Sequence, residues 1–499
     1  MNWNDWIPLL VLMSSLLPGL LIFSLAEENV QTRVMLNLFG ALAKLALVGL
    51  MLWGVYHGHH YETRLPLLPN LDLVLRVGPL SLLFITLSTI LWLVTTVYAI
   101  GYLEDSPHRS RFFGFFSLCV TATVGVALAG NLISFLLFYE LLTLATYPLI
   151  IHRGTEEARQ AGKIYLRYTI SGGALLLIGT VWLYSLTGSL EFTPKGFLFN
   201  IGEQHYPALI GIFALLITGL GVKAALVPLH GWLPLAMIAP APVSALLHAV
   251  AVVKAGAFGI IRVVYDVFGV EFSAGLGVLK PLAWLAAFTI IYGSLRALFQ
   301  NDLKRRLAYS TISQVSYIAL GVAIAGPIAT IGGVVHLVHQ GLMKITLFFC
   351  AGNLAETLGI HKISEMNGVG RRMPWTMAAF TIGAFGMIGA PPIAGFISKW
   401  YLGLGALNND QNWVIFVLAG SSLLNAAYFL PILHRAWFMP LPESWPDEHH
   451  FGNKETAWAL LLPPLVTAAM ALAAGLLVTL PFSPLEWAKL ISVREFYQP

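Results

Sequence analysis

Long apolar segments are the feature that most constrains how this chain folds. Runs such as "LLHAVAVVKAGAFGII" (246–261) and "ALLLIGTVWLYSL" (174–186) recur along its 499 residues. A helix of about 20 mostly apolar residues crosses the hydrocarbon core of a bilayer. Only 10% of the residues are charged and the mean hydropathy is +0.77, whereas soluble proteins carry about 25% charged residues. These figures predict an all-α integral membrane protein with about fourteen transmembrane helices.

The loops indicate how the chain is oriented. The first segment, "MNWNDWIPLLVLMSSLLPGLLIF", has no basic residues ahead of it, so we interpret it as a spanning helix and not as a cleaved signal. Lys and Arg collect in the loops on the side opposite the N-terminus, for example in "NDLKRRL" (301–307). Basic loops remain on the inner side. We therefore expect a bacterial cytoplasmic (inner) membrane protein with both termini on the outer, periplasmic side.

Several classes of partner and cofactor are not expected. The formal net charge is only +4, and no basic patch interleaved with aromatic residues suggests nucleic-acid binding. Cys119 and Cys350 lie in apolar runs without CxxC spacing, which argues against disulfides and cysteine metal sites. The sequence also has no nucleotide, flavin or iron–sulfur motif. We predict no cofactor, no metal and no catalytic chemistry in this chain alone.

Two predicted helices are interrupted. "GVKAALVPLHGWLPL" (221–235) contains Pro228, and "GMIGAPPIAGFISKW" (386–400) contains Pro391 and Pro392. Proline removes a backbone donor and clashes with the preceding turn, and irregular backbone is tolerated in a membrane only inside protein or beside a hydrated cavity. Each interrupted segment carries a lysine, Lys223 or Lys399. Paired broken helices of this kind predict an ion site near the midplane.

Charged residues occur well inside the apolar segments, where each costs roughly 2.5–3.5 kcal/mol. They are Lys44, Glu140, Lys223, Lys254, Lys344 and Lys399. Lys399 is close enough to the end of its segment that snorkelling to the interface is an alternative explanation. The others must be paired, hydrated or neutral for part of the time, and these conditions suit a proton relay.

Histidines accompany these lysines. In "VVHLVHQGLMK" (334–344), His336 and His339 are three residues apart and Lys344 returns to the same helix face. A single buried histidine is better explained by an interhelical hydrogen bond, but a stripe of this kind favours a relay. His248 and Lys254 are six residues apart. On a regular helix they would point about 120° apart, so we expect each to face a different neighbour.

Taken together, these residues resemble a known family. The segments "FYELLTLATYPLI", "GVKAALVPLHGWLPLAMIAPAPVSALLHAVAVVKAG", "HQGLMKITLFFCAGNL" and "GAPPIAGFISKWYL" are similar to those of the antiporter-like subunits. These subunits are shared by respiratory complex I, membrane-bound hydrogenases and Mrp-type multisubunit Na⁺/H⁺ antiporters. Within the family the chain most resembles the D-type component of the Mrp antiporters, and the resemblance runs from about residue 110 to 430.

The resemblance implies a fold of fourteen helices with two inverted five-helix repeats and with the seventh and twelfth helices broken. The implied units are 1–110 (helices 1–3), 111–265 (helices 4–8), 280–435 (helices 9–13) and 456–499 (helix 14 and a short tail). It also implies a relay in which Glu140 pairs with Lys223. The remaining stations would be Lys254 with His248 before it, the group His336, His339 and Lys344, and finally Lys399. Lys44 matches no motif of the family, and a contact with a neighbouring subunit is an equally good explanation for it.

The implied function is proton translocation by one subunit of a multisubunit Na⁺/H⁺ antiporter. Its partners would be other membrane subunits of a hetero-oligomeric complex, with protons and possibly Na⁺ as the transported ions. One alternative is the proton-pumping arm of a redox-driven complex, either an NADH:quinone oxidoreductase or a membrane-bound hydrogenase, of which this chain would be a translocase component. Further alternatives are the membrane subunit of an inorganic-carbon uptake complex and a purely structural scaffold.

Overall fold

A computed structural model describes residues 3–68, 71–103, 106–451 and 454–497. Its helices and strands are α1 (Trp3–Phe23), α2 (Val30–Tyr56), β1 (Tyr61–Leu68), β2 (Leu71–Val77), α3 (Pro79–Tyr102), α4 (Arg109–Leu128), α5 (Leu132–Ile150), α6 (Glu156–Thr187), α7 (Tyr206–Ala224), α8 (Trp232–Leu235), α9 (Ala241–Ala249), α10 (Val252–Arg262), α11 (Val270–Gly275), α12 (Leu279–Leu298), α13 (Leu303–Ala323), α14 (Pro327–Leu358), α15 (Val369–Arg372), α16 (Pro374–Ile388), α17 (Ala394–Asn408), α18 (Trp413–Phe438), α19 (Trp458–Leu476) and α20 (Pro484–Phe496).

The helical membrane architecture is confirmed. Twelve helical stretches among the described residues are long and apolar enough to cross a membrane, counting α9 and α10 together as one stretch. The other two predicted segments coincide with α13 and with the pair α16 and α17. α13 is less apolar because a row of buried polar residues, including Ser310, Gln314 and Tyr317, lies along it. The total of fourteen crossings and the inverted relation of the two repeats remain predictions.

A β-hairpin between α2 and α3 was not predicted. β1 and β2 pair antiparallel, with Tyr61 opposite Val77. The hairpin is anchored to the start of α5, because Asn131 Nδ2 just before the helix donates to the Asp72 carbonyl (2.9 Å) and the Val74 amide donates to Ser134 Oγ in its first turn (2.8 Å). The hairpin therefore helps to position α5, the helix that carries Glu140.

Two segments form the centre of the molecule. α14 is 32 residues long and packs against α9, α13, α16, α17 and α19. The stretch from α9 to α10 is buried along its length. Both segments are mostly apolar and almost fully buried, as expected for helices enclosed by other helices. Five of the predicted relay residues lie on these two central segments: His248, Lys254, His336, His339 and Lys344.

The chain leaves helical conformation at both predicted interruptions. α7 ends at Ala224 and is followed by Ala225 at φ 57°, before Pro228. α16 ends at Ile388 and is followed by Gly389 at φ 97°, a left-handed conformation that glycine adopts without strain. The chain then passes Pro391 and Pro392 and re-enters a helix as α17.

A third interruption contradicts the expectation of a regular helix through "LLHAVAVVKAGAFGII". α9 ends at Ala249, and Val250 (φ −130°, ψ −51°) and Ala251 (φ −90°, ψ −92°) separate it from α10. Neither proline nor glycine occupies this break, so local sequence rules gave no sign of it. His248 ends one helix and Lys254 lies in the first turn of the next, and the angle expected between them on a single helix does not apply.

Candidate functional site

Lys223 lies in the last turn of α7, at the first interruption. Its Nζ donates a hydrogen bond to the carbonyl of Tyr139 on α5 and lies 3.4 Å from the centroid of the Tyr139 ring. The carbonyl and the aromatic face both attract a cation. Both contacts stabilise this ammonium inside the protein.

Glu140 follows Tyr139 on α5 and is half-buried. Its Oε1 has no hydrogen-bond partner among the described residues, and its carboxylate lies against Gly173 on α6, where a Cβ would collide with it. Lys223 contacts Tyr139, the residue next to Glu140 on α5. The hydrogen bond of the ammonium goes to the Tyr139 carbonyl, and the pairing of Glu140 with Lys223 remains a prediction.

Lys254 and His248 both face α14. Lys254 Nζ donates to the carbonyl of Leu337 at 2.8 Å, and the His248 ring lies 4.5 Å from the ring of Phe348. Both ring nitrogens of His248 are buried and without a hydrogen-bond partner in the described part of the chain. The two side chains contact different residues of the same helix, because the break between α9 and α10 lets each reach a different level of α14.

The polar side chains on α14, His336, His339 and Lys344, lie next to two neighbouring helices, α13 and α17. His336 packs against Tyr317 of α13, with ring centroids 5.2 Å apart, and its Nδ1 lies 2.7 Å from Ser398 Oγ of α17. Lys344 Nζ donates to Ser310 Oγ (2.6 Å) of α13. Both ring nitrogens of His339 are buried and have no hydrogen-bond partner in the part of the chain that the structure describes. His336 therefore contacts both α13 and α17, whereas Lys344 contacts α13.

Lys399 is held at the second interruption. Its Nζ donates to the carbonyls of Met387 (3.0 Å) and Ile388 (2.8 Å) at the end of α16, and to Ser422 Oγ (2.9 Å) of α18. The carbonyl end of a helix carries partial negative charge, which stabilises the ammonium. The side chain thus points into the break, and this contact accounts for Lys399 better than snorkelling does.

A hydrogen-bonded link between Lys344 and Lys399 was missed at the sequence level. The hydroxyls of Ser310 and Tyr428 lie 2.8 Å apart, and the Tyr428 hydroxyl donates to Asn425 Oδ1 at 2.6 Å. Asn425 Nδ2 in turn donates to the Met387 carbonyl at 2.9 Å, which also accepts from Lys399. Asn425 and Tyr428 are three residues apart on the apolar helix α18. Two polar residues at this spacing share one helix face, and that pattern could have indicated the link from the sequence.

The fold and this site define a multi-pass membrane protein that encloses a series of protonatable side chains. Two of its lysines, Lys223 and Lys399, lie at the interruptions that contain proline. The family model described as "NADH:quinone oxidoreductase/Mrp antiporter, TM" matches residues 129–425. A second model, described as "NADH-Ubiquinone oxidoreductase (complex I), chain 5 N-terminus", matches residues 69–113. The chain belongs to the NADH:quinone oxidoreductase/Mrp antiporter transmembrane family.

Individual proteins show the same relationship. The chain is 37% identical to the N-type component of the NADH-quinone oxidoreductase of Desulforudis audaxviator over 382 residues, which cover 75% of each protein. It is 29% identical to the D-type component of the Na⁺/H⁺ antiporter of Bacillus subtilis, over 81% of this chain and 80% of that one. A chain of the Mrp complex from Dietzia sp. has the same fold, with a TM-score of 0.87 at 22% identity over 100% of this chain and 98% of that chain.

Proposed function

We propose that this chain is a proton-translocating subunit of a multisubunit Na⁺/H⁺ antiporter in a bacterial cytoplasmic membrane, with both termini on the outer side. Its partners are other membrane subunits. Protons move along the series Glu140 and Lys223, then Lys254, then the α14 group, and finally Lys399. The relative from Bacillus subtilis, which is named as a component of a Na⁺/H⁺ antiporter, supports the antiporter assignment.

The observation that carries this proposal is the way the four relay lysines are held. Lys223, Lys254, Lys344 and Lys399 each donate to at least one backbone carbonyl of another helical segment. A carbonyl stabilises an ammonium but carries no full charge, so releasing the proton does not leave a buried, unpaired anion behind. A lysine held in this way can be loaded and unloaded at a smaller cost than one in a tight ion pair.

Successive stations are coupled through their charges. Two unit charges about 10 Å apart at an effective dielectric constant of about 20 repel by roughly 1.7 kcal/mol. That energy is enough to bias a protonation equilibrium by more than about tenfold. Loading one lysine therefore favours release from the next, and protons advance without a large movement of the helices.

A redox-driven complex is the second candidate, because the relative from Desulforudis audaxviator is named as part of a quinone oxidoreductase. In that case the same relay would be driven by electron transfer in partner subunits. Purifying the native complex distinguishes the two functions, since the redox complex must contain subunits with flavin or iron–sulfur clusters and the antiporter need not.

Lys254→Ala in the native complex tests the relay. We expect proton transport into reconstituted liposomes to fall by about a hundredfold or more, because Lys254 is the station between the α7 break and α14. Lys254→Arg should also impair transport, since arginine keeps its proton. Lys280→Ala, at an exposed lysine of α12, is the matched control. Normal proton transport by an intact Lys254→Ala complex would exclude this mechanism.

A further inference from the structure

Two cavities lie beside α3, at the end of the bundle where α20 packs against it. The first has a volume of about 600 Å³, and its lining includes the hairpin, the start of α3, and the side chains of His59, His60 and Arg494. The second has a volume of about 340 Å³ and is lined by α2, α3, α14, α19 and α20. The described residues that line the two cavities include none of the relay. We refer to the first as the polar cavity and to the second as the apolar cavity.

The two cavities follow one another along the same helices. On α2, Val55 lines the polar cavity and Leu52 lines the apolar one. On α20, Leu490 and Trp487 do the same. Residues three apart lie about one turn from each other on the same side of a helix. The polar cavity therefore lies directly beyond the apolar one, at the ends of the same helices.

The apolar cavity has the depth of one bilayer leaflet. It extends along α3 as far as Ile90, which is about 17 Å from Pro79 at the start of that helix, at 1.5 Å per residue. The hydrocarbon core of a bilayer is about 30 Å thick, so one leaflet contributes about half of that depth. Leu477 and Leu480 on the cavity wall are half-exposed. An acyl chain can therefore enter this cavity from the surrounding lipid.

Arg494 is the guanidinium of the polar cavity that is best placed to bind an anion. Its contacts with carboxylates are long, 3.3 Å to Asp266 and 3.6 Å to Glu495, whereas a tight charge-assisted hydrogen bond measures about 2.7–2.9 Å. A Cβ at Gly78 would lie 3.1 Å from Arg494 Nη1, so the glycine leaves space beside this group. The planar guanidinium fork matches the geometry of a phosphate.

The other arginines that line the polar cavity are held in tight ion pairs. Arg76 contacts Glu62 at 2.5 Å and Glu191 at 2.8 Å. Arg262 contacts Asp266 at 2.6 Å. These carboxylates largely neutralise the two arginines. A ligand of the polar cavity is therefore expected to place one phosphate at Arg494.

We propose that the two cavities together bind one membrane phospholipid, with its phosphate at Arg494 and one acyl chain in the apolar cavity. The second acyl chain remains in the bilayer. A free phosphate would leave the apolar cavity unfilled, whereas a phospholipid fills both spaces and removes apolar surface from water. The bound chain contacts α2, α14 and α19 at once and holds them together. This site goes beyond the proposed function and does not depend on it.

The number of phospholipids that copurify with the detergent-solubilised native complex, measured by native mass spectrometry, tests this site. Ala473→Phe places a ring in the apolar cavity, and Arg494→Gln removes the contact with the phosphate. Each variant should lose about one bound phospholipid per chain, since such sites are few in a protein. Ala473→Phe decides the question even if Arg494→Gln loosens α20, because it leaves the ion pairs of Arg494 intact.

The matched controls lie on the same two helices outside both cavities. Ala469→Phe adds the same ring at an exposed position of α19, and Lys489→Gln removes a cation of α20 that pairs with Glu486. Both should keep the wild-type number of phospholipids. After delipidation, added phosphatidylglycerol should raise the Tm of the wild-type complex more than that of either cavity variant.

Three results would overturn the proposal. The first is a wild-type phospholipid number in Ala473→Phe. The second is an equal loss in Ala469→Phe, which would show that lipid is lost from the whole surface. The third is binding of inorganic phosphate that depends on Arg494 and persists unchanged in Ala473→Phe while no phospholipid is retained by the wild type, which would identify a site for the free anion.

Discussion

The two helix interruptions that contain proline hold their lysines by different chemistry. At the end of α7, Lys223 contacts the Tyr139 carbonyl and ring, and a carboxylate, Glu140, lies nearby. Between α16 and α17, Lys399 contacts two carbonyls and a serine hydroxyl, and hydrogen bonds through Asn425 and Tyr428 connect it towards Lys344. The first region contains an acid and the second a row of neutral polar groups.

The difference suggests separate tasks for the two regions. A carboxylate that can move towards or away from Lys223 changes how strongly that lysine holds its proton, so the first region is suited to control loading. The link in the second region contains an amide and a backbone carbonyl that accepts from both Asn425 and Lys399, so it holds side chains in place and does not pass a proton along. The second region is suited to position Lys344 and Lys399 relative to each other.

The largest effect is expected from removing the acid of the first region. Glu140→Gln keeps the shape of the side chain but leaves Lys223 without a nearby negative charge. Proton transport by the reconstituted native complex should fall by about a hundredfold or more, the usual contribution of a positioned acid or base. Glu271→Gln, at an exposed carboxylate of α11, should transport normally. If Glu140→Gln matched this control, the first region would not control loading.

A smaller effect is expected in the second region. Tyr428→Phe removes the hydroxyl between Ser310 and Asn425 and should slow proton transport by about tenfold, the equivalent of one or two kcal/mol of lost hydrogen bonding. Tyr98→Phe is the control, since the Tyr98 hydroxyl also donates one buried hydrogen bond, to the Phe349 carbonyl, but lies outside the link. Equal transport rates for these two variants would contradict a role for Tyr428 in positioning Lys344 and Lys399.

The smallest effect is expected from moving the acid without removing it. In Gly173→Ala the new methyl group would collide with Glu140 Oε1 and displace the carboxylate, which ends a flexible side chain. Transport should change by a few fold, and stability by no more than about 1 kcal/mol. Gly49→Ala, where a Cβ meets open space, should have no effect. A thermal unfolding scan alongside the transport assay shows whether the change is one of position or of folding.

Much of the candidate site could be read from the sequence, because a charge inside a membrane helix is visible as an exception to the apolar pattern. Glu140, Lys223, Lys254, Lys344 and Lys399 all stand out in this way. Ser310, Asn425 and Tyr428 do not, since neutral polar residues are common in such helices and the contacts that join them to Met387 and to one another link separate helices. Their role depends on which helices become neighbours.

The sequence alone determined that this chain is a helical membrane protein, that two helices are interrupted near Pro228 and Pro391, and which residues carry charge inside the apolar segments. Those properties follow from residue type and local spacing, because both bilayer insertion and helix formation depend directly on them. Tertiary structure alone decided the break at Val250 and Ala251, the contact of Lys223 with a carbonyl, and the enclosure of Lys44 by helices of its own chain, α1 and α3, in place of a neighbouring subunit. These features depend on packing between helices that are distant in the sequence. Every residue has a backbone carbonyl, so only the packing determines which carbonyl accepts a hydrogen bond from a buried lysine.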